Sequence, residues 1–181
     1  LAAKTLSRTP AASLSLGEER GLLLRGAQRK KNPDQEGKTL TTTEESAARS
    51  ATAALIRRYY DHFNRGETSA MEDMLTDDVI HDVNQGERRV GKDKFRAFNA
   101  RMTHNYQERL ENITVLVSKD GTRAAAEFNV HGKYLNSEEG LPAAKGQTYV
   151  LPAGTFFAIR DGKIARVTTY YNLTDWIAQV A

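Results

Sequence analysis

The side chains able to do chemistry in this sequence are carboxylates, imidazoles and phenols. There is no cysteine. A thiol nucleophile, a disulfide framework and a thiolate zinc site are therefore excluded. The four histidines are scattered without close pairing, so no metal is expected. No glycine-rich phosphate loop occurs, so no cofactor is expected either. General acid–base catalysis is what these residue types can do. Two segments carry candidates. In His81-Asp82, a strand would send the two side chains to opposite faces. By residue type alone, Asp82 is a surface aspartate ahead of the turn Gln85-Gly86-Glu87. In Glu127-Phe128-Asn129-Val130-His131, Glu127, Asn129 and His131 share one face and Phe128 and Val130 the other. His131 and Glu127 are a second acid–base pair if their face lines a cavity. Otherwise they lie outside, and alternation does not decide between the two.

These side chains need a scaffold, and the periodicity supplies one. Leu55, Ile56, Tyr59, Tyr60 and Phe63 mark one face of a helix over 47–65, capped by Thr43 or Ser46 and stopped at Gly66. A second short helix covers 69–75 and a third 92–104, the latter with Phe95, Phe98 and Met102 inward. Between them, 79–84 reads as a short strand. The period then changes. Strands are expected over 113–117, 124–134, 147–159 and 164–172, with a bulge at Pro152. Lys119-Asp120-Gly121-Thr122 and Arg160-Asp161-Gly162-Lys163 read as hairpin turns, the Asp-Gly kind requiring positive φ at both centres. A short helix over 174–180 closes the chain. Helices first and antiparallel strands afterwards make an α+β fold with helices on one face of a curved sheet.

Charge separates this domain from what precedes it. Residues 1–50 hold nine basic and six acidic side chains, and the remainder holds 17 of each. Residues 51–181 are thus neutral, and the domain, taken as 46–181, gives no electrostatic ground for nucleic-acid or membrane binding. Residues 1–45 are rich in Ser, Thr, Lys and Arg, without periodicity, and are expected to be a disordered tail. The first 31 residues loosely resemble an organellar transit peptide. No apolar run approaches the ~20 residues of a membrane span. Leu22-Leu23-Leu24 is too short for a secretory signal. A cytoplasmic location is the expectation.

Three segments resemble the ketosteroid isomerase and SnoaL-like branch of the nuclear-transport-factor-2-like superfamily. They are Arg58-Tyr59-Tyr60-Asp61-His62-Phe63-Asn64-Arg65-Gly66-Glu67, Thr76-Asp77-Asp78-Val79-Ile80-His81-Asp82 with Gly91 after it, and Val150-Leu151-Pro152-Ala153-Gly154-Thr155-Phe156. The order of elements is similar as well. The resemblance implies a cone-shaped, barrel-like curved antiparallel sheet packed on three N-terminal helices. It implies Asp82 as general base and Tyr59 as donor to a dienolate oxygen. Gly154 stands where the isomerases carry a protonated aspartic acid, so a second donor would come from Tyr171, Thr155 or Tyr149. Val167, Thr169 and Tyr171 match the family's cavity-lining face. With Phe128, Phe156, Phe95, Phe98 and Trp176 they would form a mostly apolar pocket with a few polar groups. The implied activity is cofactor-independent isomerase or cyclase chemistry on a hydrophobic carbonyl compound of steroid or polyketide type, in a homodimer. The alternative is a non-catalytic small-molecule-binding or dimerisation module of the same fold.

Overall fold

The computed structural model describes residues 40–84 and 86–181. The expected disordered tail lies outside the described residues over 1–39. Residues 42–45 belong instead to the first helix, α1 (Thr42–Arg65). Its cap is neither Thr43 nor Ser46. Thr41 accepts from the Glu44 backbone N–H, and the Glu44 side chain reaches back to the Thr41 N–H, a reciprocal capping box. Gly66 ends the helix in the left-handed region, as its place after the last apolar position suggested.

The remaining elements are α2 (Thr68–Asp73), β1 (Leu75–Val83), β2 (Arg89–Val90), α3 (Lys92–Asn105), β3 (Tyr106–Val117), β4 (Arg123–Tyr134), β5 (Thr148–Arg160), β6 (Lys163–Tyr171) and α4 (Leu173–Val180). The strands form one sheet in the order β2-β1-β6-β5-β4-β3. All neighbours are antiparallel except β1 and β6, which run parallel. Register shifts in β1, β3 and at the end of β5 bend the sheet. It curves without closing, and the helices pack on its inner face.

Register fixes which side chains share that face. Partners directly opposite one another project to the same side. One transverse row runs His81–Val167–Phe157–Ala124 across β1, β6, β5 and β4, and all four are buried. The next row is Asp82–Thr168–Phe156–Ala125–Leu116, on the outside, where Leu116 and Phe156 are exposed. The core lies between the inner rows and α1. Tyr59, Tyr60, Phe128 and Phe157 meet there edge to face at 5.2–6.0 Å.

Two expectations at β5 change. Pro152 makes no bulge, and β5 pairs with β4 without a shift from Thr148 to Ala158. β6 begins to pair only at Ala153, so residues 148–152 have a free edge. Gln179 of α4 closes it, accepting from Val150 N–H at 2.9 Å and donating to its carbonyl at 3.0 Å. Two residues on, the Pro152 nitrogen points the same way, where no ladder bond is required of it. Asn64 serves the outer edge of β3 likewise, bonding both N–H and C=O of Leu110 at 2.8 and 2.9 Å.

Candidate functional site

Asp82 does not stand in the cavity. It lies in the outer row and accepts two hydrogen bonds from the Arg88 guanidinium, at 2.9 and 3.0 Å. That guanidinium holds its carboxyl below the usual carboxylate range. A carboxylate so stabilised is a poor proton acceptor from carbon. Tyr59 is buried in the core against Tyr60 and Phe157, and burial raises its phenol well above the ordinary value. It makes no hydrogen bond with Asp82. The implied base and donor are thus not brought together.

Phe128, Val167, Phe95 and Trp176 are buried on the inner side, and Thr169 and Tyr171 are part-buried there. Phe98 is half-buried beneath α3, with its ring 4.6 Å from that of His81. Phe156 departs. It is 50% exposed, on the outer face against Tyr170, because its parity is that of Asp82. Gly154 shares the outer face, opposite Glu127 and Tyr170. Its inward neighbour is Thr155, whose hydroxyl meets that of Thr169 at 3.2 Å. Glu127 and His131 are exposed on the outer side of β4, and His131 lines the open groove that also reaches Glu108. His131 faces Glu111 at 3.4 Å.

The inner face holds a carboxyl that sequence reading missed. Glu108 lies on β3, in a row with Gly132 of β4 and Tyr149 of β5. A Cβ at Gly132 would fall 2.0 Å from the Tyr149 ring. The missing side chain therefore leaves the space in which that ring crosses β4. Its hydroxyl donates to Glu108 Oε1 at 2.5 Å. Desolvation raises the Glu108 pKa, and the Tyr149 bond offsets this only in part. Trp176 packs on Tyr149, Tyr106 and Tyr134. A second carboxyl, Glu138, accepts from Tyr106 Oη at 2.8 Å and Asn105 Nδ2 at 2.9 Å. The negative charge of Glu108 and of Glu138 helps to raise the Tyr171 phenol, after burial itself. An open groove of about 710 Å³ reaches Glu108, Gly132 and Tyr149, between Asn64 and Gln179.

Glu108 could have been found. Tyr106, Glu108 and Leu110 alternate with Gln107, Arg109 and Glu111, placing one acid among inward apolar positions. Tyr60 is a second unused group. Its buried hydroxyl has no hydrogen-bond partner among the described residues. No cluster of three or more His, Asp or Glu there could hold a metal ion, and no helix there is long and apolar enough to cross a membrane.

With the sheet and its inner acid in place, comparison with known proteins identifies the fold family. The SnoaL-like domain matches residues 56–167. The chain belongs to the SnoaL-like family. A proposed polyketide cyclase of Pseudomonas putida KT2440 is 60% identical, with 72% of this SnoaL-like chain and 98% of that chain covered and a TM-score of 0.70. Another from Xanthomonas campestris pv. campestris is 51% identical, over 74% and 99% of the two chains, at a TM-score of 0.72. An NTF2-like protein of unknown function from Burkholderia pseudomallei K96243 shares the fold at 16% identity, over 72% and 98%, with a TM-score of 0.62. No curated protein sequence matches the chain. The SnoaL-like protein thus sits beside relatives named as proposed polyketide cyclases.

Proposed function

We propose that this SnoaL-like protein is a cofactor-independent acid–base enzyme of the isomerase or cyclase type. Its substrate is a hydrophobic carbonyl compound of steroid or polyketide character. Glu108, rather than Asp82, carries the proton. The observation behind this reading is the Glu108–Tyr149 pair, an inward carboxyl with a raised pKa and a phenol held against it. Removing a proton from the carbon beside a carbonyl needs a base whose pKa approaches neutrality. Desolvation moves Glu108 in that direction, whereas Arg88 moves Asp82 away. As the base takes the proton, negative charge passes to the carbonyl oxygen and needs a donor. Tyr149, whose phenol lines the groove beside Glu108, supplies that donor. Glu108 then returns the proton to carbon.

Solvent deuterium exchange tests this without knowledge of the natural substrate. 2-Tetralone has acidic C–H groups beside a carbonyl on an apolar body. Proton NMR in D2O should show its exchange accelerated by the full chain. Glu108→Gln should lower the rate by ~10²–10⁴-fold, the usual contribution of general-base catalysis. Asp82→Asn should leave it within about threefold, as expected for a base lying outside the site. Equal loss in both variants, or none in Glu108→Gln, would remove Glu108 from the role.

We propose further that a second copy of the chain covers the outer face. Phe156 and Tyr170 are 50% and 53% exposed on central strands, and apolar side chains grouped on an open sheet face are typical of association surfaces.

A further inference from the structure

Strands β1 and β2 place opposite chemistry on their two faces. On the outside, Asp82 and Arg88 close a salt bridge. On the inside, the directly opposed residues are His81 and Arg89, and neither is an acid. His81 is 4% exposed, and its Nδ1 has no hydrogen-bond partner among the described residues. Its ring lies edge-on to Phe95 and Phe98 at 5.0 and 4.6 Å. The Arg89 guanidinium rests over the Phe98 ring at 4.4 Å, and Arg101 approaches the same ring at 5.6 Å. Within the described residues the Arg89 side chain donates one hydrogen bond, to the Glu87 carbonyl at 3.3 Å. Arg101 reaches Glu138 at 3.4 Å.

Two guanidiniums beside one ring repel each other. Desolvation, and then the Arg101 charge, lower the Arg89 pKa, while Glu87 and Asp82 oppose the shift only through space. Stacking on Phe98 stabilises the cation through the ring face. Apart from the one bond to the Glu87 carbonyl, it leaves the in-plane N–H groups of Arg89 free, and a guanidinium edge matches carboxylate oxygens. A bound anion would relieve the repulsion and satisfy those donors. The buried imidazole and two phenylalanines beside them favour a ligand with a flat apolar body.

We propose that the inner face beside α3 is a carboxylate-binding subsite. In it, Arg89 and Arg101 hold the acid group of a flat, apolar ligand and His81 offers Nδ1 as a further hydrogen-bond partner. This rests on reading the inner face as a substrate site, though not on the chemistry of Glu108. The substrate class narrows accordingly to hydrophobic carbonyl compounds that carry a carboxylate.

Benzoate is the probe, with benzamide and inorganic phosphate as comparisons. Calorimetric titration of the full chain should give benzoate at least about tenfold higher affinity than benzamide, the least effect expected of charge-assisted bonds. Phosphate carries charge without a ring and should bind at least about tenfold more weakly than benzoate, since it leaves the apolar wall unfilled. Benzoate should also move the His81 Hε1 resonance. Arg89→Gln should weaken benzoate by about tenfold or more, and Arg88→Gln, on the other face, should change it less than about twofold. Arg101→Gln gives the same test should Arg89→Gln not fold. Benzamide or phosphate binding as well as benzoate would overturn the proposal. So would undiminished binding in Arg89→Gln or Arg101→Gln, or no binding of benzoate to the wild-type chain. Deuterium exchange in Glu108→Gln is read separately. If exchange persists there while benzoate discrimination holds, the catalytic assignment fails and the subsite stands.

Discussion

At the scale of single residues, the inner face separates stability from chemistry. The Glu108 carboxyl titrates above its ordinary value. The native state therefore holds this proton more tightly than the unfolded chain does. Stability must fall as pH rises from about 4.5 through the raised native value. Glu108→Gln should remove that fall. Its thermal midpoint should exceed that of the wild type at pH 8, with a smaller difference at pH 4, while deuterium exchange is lost. A variant both less stable and less active would indicate a structural role instead. His81 has the opposite sign. Burial pushes its pKa from 6.5 down to about 4, so the unfolded chain is protonated first. Stability should fall between pH 6.5 and 4, by roughly 3 kcal/mol at ~1.4 kcal/mol per unit. His81→Phe should flatten that interval in denaturant titrations. If the wild-type curve is already flat there, His81 is not held neutral.

At the scale of elements, local chemistry was legible where it was self-contained. Asp161-Gly162 has positive φ at both residues, as an Asp-Gly hairpin turn requires. Asp120-Gly121 has it only at Gly121. There the Asp120 carboxylate instead accepts from the Ser118 hydroxyl and from the Thr122 N–H and hydroxyl, and the turn is wider. In the first half of β3 the alternation is present, but Glu108 stands on its inward side between Tyr106 and Leu110, so the apolar pattern alone marks the strand only from Ile113. Parity was the costliest ambiguity. His81 and Asp82 are both polar, and only tertiary pairing decides which faces in. A one-residue slip exchanges the faces of a whole strand, and Asp82, the base that the resemblance implies, lies on the outer one, opposite Thr168. Two element-scale outcomes follow. Thr41→Ala should cost about 1 kcal/mol by removing the capping box, with Thr43→Ala and Ser46→Ala near neutral in the same denaturant titration. Gly132→Ala should displace the Tyr149 ring, lowering both the thermal midpoint and the exchange rate. Retention of both would mean that the ring has room to move without leaving Glu108.

At the scale of the whole molecule, the α+β order and the helix-covered curved sheet followed from the switch in period near residue 105. Pairing of β1 with β6 did not, because a parallel pair joins segments far apart in sequence. The proposed dimer belongs to this scale. Sedimentation at micromolar concentration should give twice the chain mass, and Phe156→Glu with Tyr170→Glu should shift it to the monomer. A wild-type monomer at that concentration would leave the outer face without its second copy.

The amides of Asn64 and Gln179 have a consequence for solubility. Each imitates a strand backbone on an edge that would otherwise offer unpaired groups to a neighbouring molecule. Replacing both with alanine would expose two templates for strand addition beside the groove. Such a protein should fold, yet aggregate on storage faster than the wild type, with a light-scattering lag that shortens as concentration rises.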